Sequence, residues 1–462
     1  MKNSKAQPTN RLTESFLLVI VFIIALIGFA LLAAGMQVSQ GANPWSALPA
    51  ALLPPFVIGL SSAGLHVLMR KRGMQVDQLI LPVTVLLFTT GLLMIWRLQG
   101  AGGAWQQLIR GYLPGMAVMA VLILKPRLVE TIRRWAIPIC SVGLLLLIAT
   151  AFFGVVDETG ARLAIQLGAL PPIQPSEVIK LALVVFLAWF IDREGKRAEG
   201  RARAFLGWLR LPPLHYFIPG VLFAGLATLA LVKMSDFGAV LILVFIFAGM
   251  LFIGLETRIF MTISAIGLSL ILLVSLILSF TWEVPTVIRY RFLAFQNPWS
   301  SEMILLKGQT TGVTVSDGPG YQIQQALDAV TSGGLSGTGL GFGSPQYVPL
   351  AQSDFIFAAI IEELGSIIGL AVLIFFAVLL MRMARIALML PTSQVFERLL
   401  LIGICIHFFV QVFIMVGGTL NLLPVTGVTI PLLSQGGMAL LVNLTEIGLA
   451  LSLSQRLEVQ AG

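Results

Sequence analysis

Charge is the scarce ingredient of this chain. Asp, Glu, Lys and Arg together make up 11% of its 462 residues, against 57% hydrophobic residues. A soluble globular domain carries about 25% charged and about 45–50% apolar residues, so this chain has too little polar surface to live in water. Cysteine is scarcer still. Cys140 and Cys405 each sit inside an apolar run, which excludes a disulfide framework and a cysteine-based metal site. The three histidines, His66, His215 and His407, are scattered and form no ligand cluster. No Ser/His/Asp set, zinc spacing or nucleotide-binding loop is present. The net charge of +8 would suit nucleic acid, but basic residues between apolar runs read as membrane-flanking loops. No nucleic-acid partner is expected, and membrane lipids are.

What the chain does have is long apolar runs. Crossing ~30 Å of hydrocarbon takes ~20 residues. Runs of that kind lie at 16–36, 47–69, 78–96, 106–124, 135–154, 175–191, 215–232, 237–253, 258–280, 355–381, 398–417 and 436–453. The expected fold is therefore an all-α integral membrane bundle of about 12 helices. With the N-terminus inside, the cytoplasmic segments collect 21 of the 29 Lys and Arg residues. That alternation fits the positive-inside rule with both termini cytoplasmic, and one missed helix would scramble it.

Residues 281–354 then form a long extracellular loop between helices 9 and 10. Loops of such length are usually functional or disordered, and this one has structure written into it. Tyr321 to Val330 places apolar residues at helical spacing. Gly333 to Gly343 is glycine-rich, suited to tight turning and close approach to a ligand; a flexible linker is the plainer reading. Ionisable groups gather at the same membrane level. Glu177 and Lys180 follow Gln174-Pro-Ser at i and i+3, so they share a helical face and can pair. Lys233 and Asp236 stand in the tight link between spans seven and eight. Asp354 opens span ten, where an Asp also suits a helix cap, and Glu362 and Glu363 lie deeper. Charges at membrane depth mark functional sites. A lone carboxylate in a polar cavity suits general-base work or proton-coupled transport.

The order of motifs is more specific than any one of them. Gly160-Ala-Arg-Leu-Ala-Ile-Gln-Leu-Gly168, Gln174-Pro-Ser-Glu-Val-Ile-Lys180, Ser235-Asp-Phe-Gly238, Phe295-Gln-Asn-Pro-Trp299 and Gly320-Tyr-Gln322 come first. Ser332-Gly-Gly-Leu-Ser-Gly-Thr-Gly-Leu-Gly341, Ser353-Asp-Phe-Ile-Phe-Ala358, Glu362-Glu-Leu-Gly365, Pro424-Val-Thr-Gly-Val-Thr-Ile-Pro431 and Ser434-Gln-Gly-Gly437 follow. This ordered set resembles the shape, elongation, division and sporulation (SEDS) family of RodA, FtsW and SpoVE, over roughly residues 75–455. The resemblance implies a ten-helix glycosyltransferase core at 75–462, preceded at 1–74 by a two-helix extension like that of the longer RodA-like members.

It further implies a peptidoglycan glycosyltransferase in the cytoplasmic membrane of a bacterium, polymerising lipid II on the outer face beside a class B penicillin-binding protein. The family's essential aspartate falls on Asp354, the candidate general base. Gln174, Ser176, Glu177, Lys180, Asp236 and Ser434 fall in family motifs and are substrate-binding candidates. Arg162, Lys180, Lys233, Arg289 and Arg291 are the cations available to a leaving diphosphate. A divalent cation, magnesium or manganese, is the one cofactor the chemistry would accommodate; the metal ligands are unknown, and no preformed cage is visible. The chain departs from the family at Leu163 and Ala164, where Arg and Trp are usual, at Gln435 for Tyr, at Gln352 for His and at Thr426, where some division-type members carry Lys. Two other readings use the same features: a flippase for the lipid-linked precursor, and a generic twelve-helix transporter. Outward clustering of charge favours the enzyme over the first. The unmatched long loop argues against the second.

The topology is directly testable. A cysteine introduced at Ser316 should react with an impermeant thiol reagent on intact cells, and one at Gly200 only after permeabilisation. Labelling of Gly200 in intact cells would overturn the orientation.

Overall fold

Apolar runs become helices because a backbone without water must bond to itself. The computed structural model describes residues 11–156, 162–166, 172–205, 209–211, 213, 218–255, 286–306 and 309–457. The helices are α1 (Leu12–Ser39), α2 (Leu48–Lys71), α3 (Ile80–Gln107), α4 (Leu113–Leu124), α5 (Leu128–Arg134) and α6 (Ala136–Phe153). They continue as α7 (Pro175–Arg201), α8 (Ile218–Lys233), α9 (Phe237–Gly254), α10 (Thr286–Gln296), α11 (Pro319–Gly333), α12 (Ile356–Met389), α13 (Val395–Thr419) and α14 (Gly437–Ser454). Eight helical segments among the described residues are long and apolar enough to cross a membrane. Their outer faces confirm the solvent. Phe16, Val19, Ile23, Ile27 and Leu31 make a stripe on α1 that is 48–67% exposed, which only hydrocarbon tolerates at that length. The protein is a polytopic helical membrane protein. The ninth expected span, 258–280, lies outside the described residues.

Two glycines interrupt the helical stretches, one between two expected spans and one inside a single expected span. A π turn, Leu108–Tyr112, joins α3 to α4, so residues 80–124 run as one helical stretch of 45 residues. At 1.5 Å per residue that is about 67 Å, twice a bilayer core. Gly100, with φ 66° and ψ −166°, breaks the stretch near its middle, so two spans remain. Likewise α12 breaks at Gly365 (φ 87°, ψ 162°). The expected span at 355–381 is thus a short helix, 356–364, followed by a spanning helix, 366–389. Helix α7 outruns the expected 175–191 because its last turns, Asp192 to Arg201, are polar and continue beyond the hydrocarbon.

The chain folds as two compact units. One comprises Met1–Thr131, Ala326–Pro391 and Val428–Gly462. In it α1 packs on α2 and α3, α3 on α12, and α4 along α14. The other comprises Ile132–Gln325 and Thr392–Gly427. There α7 is central, packed on α6, α9 and α13. The long loop is structured where it is described. It contains α10, a hairpin of β5 (Met303–Leu306) with β6 (Gln309–Thr314), then α11, which covers the expected helix at 321–330. Two further hairpins pair β1 (Val155–Val156) with β2 (Arg162–Ala164) and β3 (Arg203–Phe205) with β4 (Leu209–Leu211).

The glycine-rich run is not a free linker; it mends the break in α12. A continuous helix would bond Ser366 N–H to Glu362 C=O and Ile367 N–H to Glu363 C=O. Across the break these groups turn to the run instead. Thr338 N–H donates to Glu362 C=O at 2.8 Å and Gly339 N–H to Glu363 C=O at 3.0 Å. Ser366 N–H donates to Gly334 C=O at 2.9 Å and Ile367 N–H to Leu335 C=O at 3.4 Å. Backbones this close leave no room for side chains. A Cβ on Gly337 would stand 2.3 Å from the Glu363 carbonyl oxygen, and one on Gly365 2.2 Å from that of Leu335.

Gly337 has φ +79° and Gly334 φ +52°, but nothing lies within 4 Å of a Cβ on Gly334. Gly334→Ala should therefore cost only the left-handed penalty, roughly 1–2 kcal/mol. Gly337→Ala should add about 1–3 kcal/mol of overpacking. Thermal unfolding of the two variants in one detergent separates them; equal losses would show that the run is not pressed on the Glu363 carbonyl.

Candidate functional site

In the first unit the chain around Asp354 is held at several points. Leu350, with φ 56°, turns the backbone so that its carbonyl accepts the N–H groups of Ser353 and Asp354, both at 3.0 Å, and of Phe355 at 3.3 Å. Asp354 itself is half-buried. The cap position of the following helix is Phe355, closed by no side-chain hydrogen bond, so the helix-cap expectation for Asp354 shifts by one residue. The aspartate belongs to the turn that precedes the helix.

Ser434 is the clamp on that turn. Its buried hydroxyl donates to the Ser353 carbonyl at 2.6 Å and accepts the Ile430 N–H at 2.9 Å. Gln435 N–H donates to the Gln352 carbonyl at 2.9 Å, and its side-chain amide meets Gln99 Oε1 at 2.5 Å. Behind them, buried Gln107 donates to the Ser434 carbonyl at 3.2 Å and accepts the Gly436 N–H at 3.0 Å. Ser434 thus acts on the backbone one residue before Asp354.

Glu362 and Glu363 bind the chain itself. Glu362 Oε1 accepts Ser344 N–H at 2.7 Å and Glu363 Oε2 accepts Gly341 N–H at 3.1 Å. Arg97 pairs with Glu363 at 2.6 Å and donates to the Gly343 carbonyl at 2.8 Å. Sequence reasoning missed Arg97 and Gln107. The only signal was a single polar residue at the edge of an apolar run, which reads equally well as a span boundary.

The second unit gathers the other motif residues. Lys180, 2% exposed, pairs with Glu177 at 2.7 Å, as the i, i+3 spacing predicts. Gln174 contributes its carbonyl to the Glu177 N–H at 3.2 Å. Asp236 caps α9 by accepting Ala239 N–H at 3.0 Å. Burial pushes its carboxyl above the ordinary range; the Ala239 N–H, the Lys180 ammonium and the buried Ser176 hydroxyl pull it back down, while the Glu177 charge raises it. Four motif residues from two helices, Ser176, Glu177, Lys180 and Asp236, therefore form one group. Arg162 and Lys233 meet at Phe152. Arg162 donates to its carbonyl at 2.6 Å, and the Lys233 ammonium lies 3.3 Å from its ring centroid. Leu163 and Ala164 lie on β2 beside Arg162. Arg291 is half-buried on α10, and among the described contacts none joins it to the Lys180 group. Arg289 is on the same helix; its side chain is outside what is described. Among the described residues no three His, Cys, Asp or Glu side chains gather to hold a metal ion.

Comparison with known proteins gives one consistent result. The profile of the FtsW, RodA and SpoVE cell cycle proteins matches residues 77–458. The chain is 33% identical over 398 residues to the stage V sporulation protein E of Bacillus subtilis, covering 82% of this chain and 97% of that one. It is 30% identical over 447 residues to the peptidoglycan glycosyltransferase RodA of Mycobacterium tuberculosis, covering 94% and 88%. Its fold is similar to a solved structure described as showing structural coordination of polymerization and crosslinking by a peptidoglycan synthase complex, with TM-score 0.64, 23% identity and coverage of 82% and 98%. A crystal structure of the rod shape determining protein RodA of Thermus thermophilus is similar at TM-score 0.54 and 22% identity, covering 82% and 97%.

The clamp on the Asp354 turn predicts a stability contrast. Ser434→Ala leaves two backbone groups without their buried partner and should cost about 1–3 kcal/mol. Ser353→Ala removes only a solvent-exposed bond of 3.3 Å to Leu350 and should stay within about 0.5 kcal/mol. Thermal unfolding of both checks this, and equal midpoints would remove Ser434 as the clamp.

Proposed function

The chain belongs to the FtsW, RodA and SpoVE family of cell cycle proteins, and from that membership we infer that it is a peptidoglycan glycosyltransferase polymerising lipid II on the outer face of the bacterial cytoplasmic membrane. The observation that carries the mechanism is the fixed backbone that presents Asp354. The aspartate is half-buried, its backbone is fixed by the Leu350 turn, and the preceding residue is clamped by Ser434. The acceptor sugar hydroxyl attacks the anomeric carbon of the donor. A new glycosidic C–O bond forms, the bond to the diphosphate oxygen breaks, and the lipid diphosphate leaves as an anion. Asp354 takes the hydroxyl proton as the attack proceeds.

The cations divide by their surroundings. Lys180 already serves Glu177 and Asp236, so it acts as a positioning residue that fixes α7 against the start of α9. Arg162, Lys233, Arg289 and Arg291 are the groups we assign to the departing diphosphate. No step here runs through magnesium or manganese. The distribution of Lys and Arg supports a cytoplasmic position for both termini. A class B penicillin-binding protein is the proposed partner, because new strands become a wall only once they are cross-linked.

General-base catalysis contributes ~10²–10⁴-fold, so Asp354→Asn, nearly isosteric but unable to take the proton, should lose about that factor in lipid II polymerisation. Its thermal unfolding should stay near wild type. A stable Asp354→Asn protein making glycan at a normal rate would remove the aspartate from the chemistry.

A further inference from the structure

The second unit carries an apolar trough that the polymerase chemistry does not use. It has a volume of about 650 Å³ and opens between α6, α7 and α8, within the ~300–1,000 Å³ range of small-molecule sites. Its floor is a stack of buried rings: Phe186 lies on Phe223 at 4.7 Å and on Phe190 at 6.1 Å between centroids. Its sides are exposed Ser141 and Leu222, facing where lipid would be. At one end stand Trp189 and Arg193, the guanidinium 5.5 Å from the indole centroid and the Arg193 side chain 60% exposed.

The trough has the polarity of a phospholipid. Rings and aliphatic chains fill its depth, and an aromatic and a cation sit at its mouth, as they do at a membrane–water interface. The mouth lies at the basic end of these helices. Residues 133–134 and 192–197 carry Arg133, Arg134, Arg193, Lys196 and Arg197 against only Asp192 and Glu194. Asp192 is engaged by Arg133 at 2.6 Å, and Glu194 is shared by Arg193 at 3.4 Å and Arg197 at 3.2 Å. Arg193 and Glu194 line the trough itself; the excess of positive charge comes from Arg133, Arg134, Lys196 and Arg197 on the same helix ends, and clustered basic residues at a membrane face attract anionic lipid. The substrate's own tail fits less well. Arg193 is 13 residues along α7 from Lys180, about 20 Å at 1.5 Å per residue, so a headgroup here belongs to the membrane face opposite the Lys180 group.

We propose that this trough binds one anionic glycerophospholipid, its phosphate at Arg193 and an acyl chain over the Phe186–Phe190–Phe223 floor. The test is native mass spectrometry of the full chain, titrated with phosphatidylglycerol, phosphatidylcholine and lipid II. Phosphatidylglycerol should bind at one copy in preference to phosphatidylcholine. Arg193→Gln should weaken phosphatidylglycerol about fivefold and leave phosphatidylcholine unchanged, the effect of one basic residue at a charged headgroup. Ser141→Trp, which fills the trough, should weaken both; Leu226→Trp repeats that test from the α8 wall should the first variant misfold. Equal uptake of the two phospholipids, or indifference to Arg193→Gln or to both trough-filling variants, would leave only unspecific surface lipid. Displacement of phosphatidylglycerol by equimolar lipid II would overturn the assignment in favour of the substrate tail.

Discussion

The hydrogen bonds exchanged between the Gly365 break and the glycine-rich run are the constraint on which the Asp354 region depends. A membrane helix that breaks must return every backbone N–H and C=O to a partner, since none is available from hydrocarbon. Here Gly334, Leu335, Thr338 and Gly339 supply those partners one for one. Once they do, the chain from 333 to 343 is fixed against α12, and its continuation, 344 to 355, has little freedom in where it delivers Asp354. The Glu362 and Glu363 side chains extend the same seam by accepting Ser344 and Gly341 N–H groups. Arg97 then neutralises Glu363 and ties α3 into it. Deep carboxylates that looked like candidates for chemistry are used to hold the backbone that carries the shallow one.

A comparable division of labour runs through the second unit. A buried lysine alone would be expensive, and its cost is met only by close, well-bonded opposite charge. Lys180 has Glu177 on its own helix and Asp236 on the next. Asp236 in turn spends one oxygen capping α9, so the ion group fixes where two helices begin. That geometry explains why a Gln-Pro-Ser-Glu segment and a Ser-Asp-Phe-Gly segment, far apart in sequence, act as one feature.

The sequence foretold what depends on neighbours along the chain and little of what depends on closure across it. The apolar runs and the Glu177–Lys180 pair were legible, because hydrophobic length and i, i+3 spacing are local signals. The break at Gly100 falls in the polar gap already visible between the runs at 78–96 and 106–124; the break at Gly365 was not legible, since the apolar run continues beyond it and glycine alone does not announce a reversal. The glycine-rich run was visible, and glycine density reports close backbone approach, but it did not say that the stretch approached would be α12 of the same chain. Gln107 and Arg97 gave no pattern at all, and only the fold shows that each bonds to segments more than two hundred residues away.

Backbone strain gives an independent reading of where the fold is under demand. Among the described residues four that are not glycine have positive φ: Ser235, Leu350, Asn421 and Leu432. Ser235 precedes Asp236, Leu350 makes the turn that holds Asp354, and Leu432 stands two residues before Ser434. Each such residue costs of order 1–3 kcal/mol and persists only where the surroundings over-determine it. Glycine would relieve that cost, and the chain uses glycine freely elsewhere. A leucine in a left-handed turn is stiffer than a glycine in the unfolded and folded chain alike, and its side chain can be buried to anchor the turn, as that of Leu432 is. The three strained turns adjoin three of the residues assigned to the proposed site, so the strain is best understood as the cost of holding them still.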